Sequence, residues 1–263
     1  MVVRDKIYFI SDLHLGASAL DNNRERELHL VKWLKEIEPS AKELFLVGDI
    51  FDFWYEYKYV VPKGFVRFFG QLCHMIDQGV EIHFFTGNHD VWAFDYLQKE
   101  IGLKVYYKPK MFVRNGKKIF VGHGDGLNPD DTGYLLLNKV FKSKVAQRLF
   151  SWIHPDIAFS IANRWSKHSR LSHPDESEYF EANMNKEEQL RFAISFESVE
   201  KVDYLIFGHR HVFIDHQLPK GARLIILGEW IQTFSYAVFD GENISLRKYP
   251  MEDTTTNHTL SLP

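Results

Sequence analysis

Lys6-Ile7-Tyr8-Phe9-Ile10-Ser11-Asp12-Leu13-His14 joins a short apolar run to two side chains that commonly bind metals. The run from Lys6 to Ile10 is rich in β-branched and aromatic residues, which predicts a buried strand followed by a loop. Layered α/β folds place their sites where strands end. The stretch therefore predicts an α/β protein with a site at the end of its first strand.

The same pattern occurs four more times along the chain. The apolar runs lead into Gly48-Asp49, Gly87-Asn88-His89-Asp90, Gly122-His123 and Gly208-His209-Arg210-His211. A glycine begins each of these clusters, and a residue without Cβ suits a sharp exit from a crowded strand. One such cluster alone is typical of an ordinary turn or core group. Five clusters in order predict side chains that share one site.

The candidate ligands offer carboxylate, amide and imidazole groups but no thiolate. This set suits manganese, iron, zinc or magnesium rather than a structural zinc bound by sulfur. Two such ions can share one bridging carboxylate. The candidate metal ligands are Asp12, His14, Asp49, Asn88, His123, His209 and His211.

Taken together, the five clusters resemble the calcineurin-like metallophosphoesterases over about residues 6–240. The resemblance implies a four-layer α/β/β/α sandwich with a dinuclear metal centre that hydrolyses phosphate esters. It implies that Asp49 bridges the two ions. It also implies that Asp12, His14 and His211 hold one ion, and that Asn88, His123 and His209 hold the other.

The remaining sequence predicts one domain over residues 1–250, followed by a polar, flexible tail at 251–263. Helices are predicted at 24–37 and 65–76 from their apolar spacing. Apolar runs at 223–228 and 235–239 predict late strands, and Asp240-Gly241 predicts a hairpin into residues 244–247. We expect this hairpin to close the second sheet.

An insertion at about residues 128–200 separates the His123 and His209 clusters and predicts a helical cap. Apolar spacing indicates helices at 134–141, 145–153 and 157–165, with Pro155 and Pro174 as breaks. Residues 138–170 hold seven Lys and Arg residues against one acidic residue, a net charge of +6. Basic residues beside Phe150, Trp152, Ile153, Phe159 and Trp165 suit an anionic lipid. An ordinary amphipathic hairpin with a solvated basic face is the alternative.

One branch of the family is similar in further motifs, namely the UDP-2,3-diacylglucosamine diphosphatases of lipid A biosynthesis. The motifs are Leu46-x-Gly48-Asp49-x-Phe51-x-x-Trp54, His123-Gly124-Asp125-x-Leu127-x-x-Asp130-Asp131-x-x-Tyr134, Ile161-Ala162-x-Arg164 and Leu227-Gly228-x-Trp230. The resemblance implies cleavage of a lipid pyrophosphate to UMP and 2,3-diacylglucosamine 1-phosphate, with manganese, at the cytoplasmic face of a Gram-negative inner membrane. The substrate contacts it implies are Asn88, His89, Asp131, Ser169, Arg170 and His209.

His89 departs from that branch, whose best-known members have arginine after the metal-binding asparagine, but agrees with the wider family. With Asn88 and Asp49 it completes the catalytic residues that we expect. Paired with Asp90, His89 is expected to be oriented and protonated. It then acts either as a general acid for the leaving group or as a donor to a phosphoryl oxygen.

Composition excludes little beyond a transmembrane or disulfide-rich protein. The 263 residues are 45% hydrophobic, with 32 basic and 35 acidic residues and a formal charge of −3, which predicts no nucleic-acid partner. Cys73 is the single cysteine and is expected to be a small buried residue. No leader or membrane span is evident, so a cytoplasmic, membrane-peripheral enzyme is expected. The alternatives are a phosphodiesterase for soluble nucleotides, a nuclease and a metal-bound scaffold.

Overall fold

The computed structural model describes residues 4–128, 132–171 and 187–250, and all of their side chains except those of 163 and 165–171. The predicted tail at 251–263, Asp131 and Pro174 lie outside these ranges.

Two sheets form the centre of the molecule. The strands of the first sheet are β1 (Lys6–Ile10), β2 (Ala41–Val47), β3 (Glu81–Phe85), β4 (Lys104–Tyr106), β10 (Ser235–Phe239) and β11 (Ile244–Lys248). Those of the second sheet are β5 (Lys110–Arg114), β6 (Lys117–Val121), β7 (Tyr204–Phe207), β8 (Phe213–Gln217) and β9 (Arg223–Leu227). Their spatial orders are β11-β10-β1-β2-β3-β4 and β5-β6-β7-β9-β8.

The central strands are mostly parallel. Antiparallel strands lie at three of the four sheet edges, namely β10 and β11 at one edge of the first sheet and β5 and β8 at the two edges of the second. β1 to β4 run parallel, as do β6, β7 and β9, whereas β5, β8, β10 and β11 join as antiparallel strands. The predicted hairpin at 235–247 forms, but the sheet assigned to it was wrong. β10 pairs with β1, with Phe9 opposite Ala237, so the hairpin extends the first sheet. A hairpin specifies its own pairing, but its local sequence does not specify which sheet edge it joins.

The helices agree with the predicted segments to within a few residues at most ends. They are α1 (Asn23–Ile37), α2 (Val66–Asp77), α3 (Thr132–Phe141), α4 (Lys144–Phe150), α5 (Pro155–Leu171) and α6 (Glu188–Val199), with a π-helical turn at Leu97–Ile101. α5 runs beyond the predicted 157–165. Pro155 is its first residue, a position where a missing N–H costs nothing. No helix among the described residues combines the length and apolar content needed to cross a bilayer.

Three apolar layers confirm the predicted α/β/β/α sandwich. In β1, Tyr8 and Ile10 face the helices α1 and α2, whereas Ile7 and Phe9 face the second sheet. α6 covers the far face of the second sheet through Leu190 and others. Because both faces of the central strands are covered, these strands are apolar throughout rather than alternating.

The helices α3, α4 and α5 lie on the predicted insertion and are attached to the body by hydrogen bonds and ring contacts. The Trp92 indole donates to the Phe141 carbonyl at 2.8 Å, and the Tyr55 hydroxyl donates to the Gln147 carbonyl at 2.6 Å. The ring of Phe53 also contacts Phe150 and Phe159, with centroids 6.2 and 5.0 Å away. These contacts hold the helical segment against the loops after β2 and β3.

Candidate metal centre

All seven predicted metal ligands and His89 meet at one edge of the sandwich. Asp12 and His14 follow β1, Asp49 follows β2, and Asn88 and His89 follow β3. From the second sheet, the loop after β6 carries one further side chain and the loop after β7 carries two, namely His123, His209 and His211. The strands that deliver these residues are parallel within each sheet, so their carboxyl ends lie together.

The backbone at this edge is unusual. Several predicted ligands have left-handed φ values, at Asp12 (54°), His14 (42°), Asp49 (52°), His209 (69°) and His211 (53°). For a residue with a Cβ this conformation costs about 1–2 kcal/mol, so the surrounding structure must hold it. The Asp12 and His14 N–H groups donate to the Gly48 and Asp49 carbonyls at 3.1 and 2.9 Å. The loops after β1 and β2 therefore support each other.

Two of the predicted glycines are required by close approach rather than by φ. A Cβ on Gly87 would collide with the Asp49 carboxylate, and a Cβ on Gly208 would collide with the side chains of Ser11 and Asp12. The expected sharp exit from the strand is therefore only part of the reason for glycine at these positions.

The donor atoms have the separations of ligands around one ion. His14 Nε2 lies 3.2 Å from His211 Nε2, which lies 3.3 Å from Asp12 Oδ1. Two donors that each lie about 2.1 Å from one ion are about 3.0–3.4 Å apart. Asp12, His14 and His211 thus form one candidate group.

A second group lies beside the first and includes Asp49. His123 Nε2 lies 3.3 Å from both Asp49 Oδ2 and Asn88 Oδ1, and the ring centroids of His123 and His209 are 5.1 Å apart. Asp49 Oδ2 is also 3.9 Å from His14 Nε2. Asp49 therefore lies between the two groups, which is the position that a bridging carboxylate needs.

The imidazoles are oriented so that one nitrogen faces the site and the other has an outer partner. His123 Nδ1 contacts the Val47 carbonyl at 2.9 Å, and His14 Nδ1 lies 3.4 Å from Asp52 Oδ1. Metal-binding histidines characteristically donate their second ring N–H to a carbonyl or carboxylate. The donor set and its outer contacts therefore fit divalent metal ions. Asp52 was missed from the sequence, although it lies three residues after Asp49.

Burial and mutual contacts shift the ionisation of these groups. Burial lowers the pKa of His14 to about 4 and, together with His123, the pKa of His209 to about 4. Burial would raise the pKa of Asp49, but His123 and His89 outweigh it and hold that pKa well below its usual range. At neutral pH His14 and His209 are therefore neutral and Asp49 is ionised, which are the forms that bind metals. Burial would lower the pKa of His123, but the Asp49 carboxylate outweighs it and raises that pKa well above its usual value.

The predicted pairing of His89 with Asp90 is wrong. The Asp90 carboxylate accepts hydrogen bonds from the N–H groups of Gly87 (2.7 Å) and Ile50 (2.8 Å), so it ties the loops after β2 and β3 together. Two sequence neighbours in a tight turn point apart, and His89 Nδ1 instead contacts the Asp52 carbonyl at 2.7 Å. His89 Nε2 then lies 4.0 Å from Asp49 Oδ2, at the edge of the donor groups.

The predicted substrate contacts are only partly described. Asn88, His89 and His209 lie at the centre. Asp131 is outside the described residues. Ser169 and Arg170 lie on α5, but their side chains are not among those described.

A cavity of about 450 Å³ opens beside the centre. Asn88, His89 and His123 line one end of it. The rest lies between the body and the helices α3 to α5, and its apolar lining includes Phe53, Trp92, Leu137, Phe150, Ala158, Ile161 and Ala162. The Asp125–Tyr134 hydrogen bond (2.8 Å) joins α3 to the His123 loop at this wall. The arrangement can hold an anionic group at the metals and an apolar group next to it.

A second cluster of metal-type side chains is a satisfied ion-pair network. Glu43 accepts from Arg114 Nε and Nη2 at 2.6 Å each, and its carboxylate lies 3.0 Å from His83 Nε2. Burial would raise the pKa of Glu43, but His83 and Arg114 lower it to about 2. Because Arg114 already occupies the carboxylate, this cluster is structural. It lies about 20 Å along β2 from Asp49.

Comparison with known proteins identifies the family. A family model described as calcineurin-like phosphoesterase matches residues 5–213. The chain belongs to the calcineurin-like phosphoesterase family. This family implies divalent metal ions, in agreement with the donor groups described above. The chain is thus a metallophosphoesterase with a dinuclear type of donor set.

Named relatives match nearly the whole chain. A protein named UDP-2,3-diacylglucosamine hydrolase from Porphyromonas gingivalis (strain ATCC BAA-308 / W83) is 39% identical, covering 95% of this chain and 99% of the relative. A protein of the same name from Haemophilus influenzae (strain ATCC 51907 / DSM 11121 / KW20 / Rd) is 29% identical, with 87% and 92% covered. Zinc-bound Vps29 from Entamoeba histolytica is 13% identical, with a TM-score of 0.43 over 95% of this chain and 94% of that chain.

Proposed function

We propose that this protein hydrolyses the pyrophosphate bond of UDP-2,3-diacylglucosamine to UMP and 2,3-diacylglucosamine 1-phosphate, a step of lipid A biosynthesis. The observation that carries the proposal is the apolar cavity that opens directly onto Asn88, His89 and His123. A substrate with a pyrophosphate and two acyl chains needs a metal centre and an apolar cavity side by side. The names of the relatives support the same substrate.

The proposal assigns two metal ions to the centre. Asp12, His14 and His211 would hold one ion, Asn88, His123 and His209 the other, and Asp49 both. When bound, such ions lower the pKa of a coordinated water from about 15.7 toward 7 and neutralise charge on phosphoryl oxygens. Among the metals that suit these ligands, we propose manganese as the working ion.

His89 is proposed to act on the substrate rather than as a ligand. Its Nδ1 is fixed by the Asp52 carbonyl, so Nε2 faces the space above Asp49 and the cavity. From there the imidazolium form, with a proton on each ring nitrogen, can donate a hydrogen bond to a phosphoryl oxygen and stabilise the developing charge. UMP and a sugar phosphate are good leaving groups, so this electrostatic role outweighs proton transfer. Asn88 and His209 would face the same phosphates.

The segment at about 128–200 is proposed to act as a cap that binds the acyl chains and touches the membrane. Its outer surface exposes large apolar side chains, including Leu136 (64%), Val145 (69%) and Trp152 (75%). Lys139, Lys144 and Arg148 are exposed on the same helices, and Lys142 is exposed in the turn between α3 and α4. Apolar side chains interleaved with basic ones suit a bilayer that contains anionic lipids. This surface supports a peripheral location at the inner membrane.

Vesicle binding tests the membrane contact. A Trp152→Ser, Leu136→Ser variant is expected to lose sedimentation with vesicles that contain anionic phospholipid. Val66→Ser, which changes an equally exposed apolar residue outside the cap (76%), is expected to bind as the wild type does. Equal binding by all three proteins would exclude this surface as the contact.

Hydrolysis of UDP-2,3-diacylglucosamine in detergent with Mn²⁺ tests the activity, with products resolved by mass. UDP-glucosamine without acyl chains serves as the matched control substrate. We expect UMP and the diacylated sugar phosphate from the lipid only. Cleavage of the control or of simple phosphodiesters, with the lipid left intact, would instead assign a soluble nucleotide substrate to the same centre.

A further inference from the structure

The side chain of Gln189 lies behind the candidate metal centre and bonds to two of its loops. This residue, near the start of α6, is 1% exposed. Its Nε2 donates to the Gly208 carbonyl at 2.9 Å and to the Gly124 carbonyl at 3.3 Å. Gly208 precedes His209 and Gly124 follows His123. One amide group therefore joins the two loops through which the second sheet delivers its ligands.

The Gly208 carbonyl belongs to a strained turn. It also accepts a hydrogen bond from the Arg210 N–H at 2.8 Å, so His209 is the central residue of a three-residue turn. With φ at +69°, His209 adopts the rare form of the γ-turn. Such a conformation persists only where neighbouring groups hold it. The bond from Gln189 is one of the contacts that hold this turn.

The two loops are also joined directly. The Gly208 N–H donates to the His123 carbonyl at 2.9 Å, so the peptides next to both histidines are linked. Gln189 packs closely here, because a Cβ on Gly124 would collide with its Nε2. The amide and the backbone together fix the distance between His123 and His209.

We propose that Gln189 is a positioning residue that holds His123 and His209 in the geometry needed to share one metal ion. The inference rests on the proposed metal centre but not on the identity of the substrate. The other group depends less on this contact, because only His211 among its ligands comes from the loop after β7, whereas Asp12 and His14 come from the loop after β1. Loss of the amide donor is therefore expected to weaken the binding of the ion held by His123 and His209 more than the binding of the other ion.

Gln189→Met tests the inference, since methionine keeps the length and the packing but removes both donated hydrogen bonds. The nearby ion pair between Glu187 and Arg210 (3.0 Å) remains and keeps α6 in place. Gln71→Met is the matched control. Gln71 is also buried and donates through Nε2, to Glu38 at 2.6 Å, but it joins α2 to α1 away from the centre.

The measurement is Mn²⁺ titration of the metal-free full chain by calorimetry, with electron paramagnetic resonance to distinguish coupled ion pairs from single ions. In Gln189→Met we expect one ion to bind as in the wild type and the second to bind about 10–100-fold more weakly. Gln71→Met should bind both ions normally, with a melting temperature lowered about as much as in Gln189→Met.

Two results would overturn the inference. One is unchanged binding of both ions by Gln189→Met. The other is equal weakening in Gln71→Met, which would show a general loss of stability. If the wild type fails to cleave the lipid while Gln189→Met loses the second ion, the proposed substrate is wrong and the role of Gln189 stands.

Discussion

Ala162 on α5 offers a direct test of whether acyl chains occupy the cavity. It lines the cavity one helical turn after Ala158, which is fully buried. Both side chains are small, so the wall is open at this point. Ala162→Leu adds three carbon atoms to the lining and is remote from the metal ligands. The substitution should therefore shorten the space for a chain without changing the chemistry.

The expected rise in KM can be calculated from the number of acyl-chain methylene groups that no longer fit in the cavity. If the added carbons displace about three methylenes, the loss is about 2.4 kcal/mol at about 0.8 kcal/mol each. That corresponds to an increase in KM of about 50-fold for a substrate whose chains fill the cavity. A substrate with chains several carbons shorter should lose little. The rate constant kcat should be nearly unchanged for both.

The assay is UMP release from UDP-2,3-diacylglucosamine with long and with short acyl chains, measured on both proteins. Ala146→Leu is the matched control, because it makes the same change on the neighbouring helix α4, outside the cavity lining. A selective rise of KM for the long-chain substrate supports the assignment. Equal changes for both chain lengths, or no change, would show that the chains bind elsewhere.

Three further predictions concern single carboxylates. Asp49→Ala should abolish activity and lower the metal content of the purified protein, because it removes the group between the two donor sets; metal analysis showing two retained ions would contradict this. Asp52→Asn should weaken metal binding about tenfold, because it removes the charge 3.4 Å from His14 Nδ1. Calorimetry measures the metal affinity, and an unchanged affinity would refute this prediction. Glu43 has a pKa of about 2 in the folded protein, against an ordinary value of 4.5. Its contribution to the free energy of unfolding is therefore fully present above pH 4.5 and is lost as the pH falls toward 2. Glu43→Gln should therefore lower the free energy of unfolding by about 2–3 kcal/mol at pH 7 and by less at pH 3, measured in urea; an equal difference at both pH values would refute this account.

The arrangement of the centre could be predicted because its information is local. Each ligand cluster follows directly on an apolar strand, and parallel strands bring their ends together. The placement of the last hairpin could not, since β10 pairs with a strand more than 200 residues earlier. The short strands β4, β5 and β8 were also missed. β4 has only three residues, and β8 is largely exposed, so neither carries a strong apolar pattern.

The groups that support the ligands were harder to see than the ligands. Asp52 acts through its backbone carbonyl as well as its carboxylate. Every residue has a backbone carbonyl, so the sequence does not indicate this contact. Gln189 is an amide at a helix start, where an exposed polar residue is the usual expectation. Only the folded structure places it beneath two loops whose glycines, Gly124 and Gly208, are 84 residues apart in the sequence.

Apolar spacing alone could not separate the two interpretations of the segment at about 128–200, a lipid-binding cap and an ordinary amphipathic hairpin. An amphipathic hairpin has one apolar face, yet these helices carry apolar residues on both sides. Phe150 and Ala158 face the cavity, whereas Val145 on α4 and Trp152 in the turn after α4 are exposed. A helix is only about 10 Å across, so the cavity lies one helix away from the proposed membrane surface. If both proposals hold, an acyl chain can pass from the bilayer to the cavity over apolar contacts, without full transfer through water.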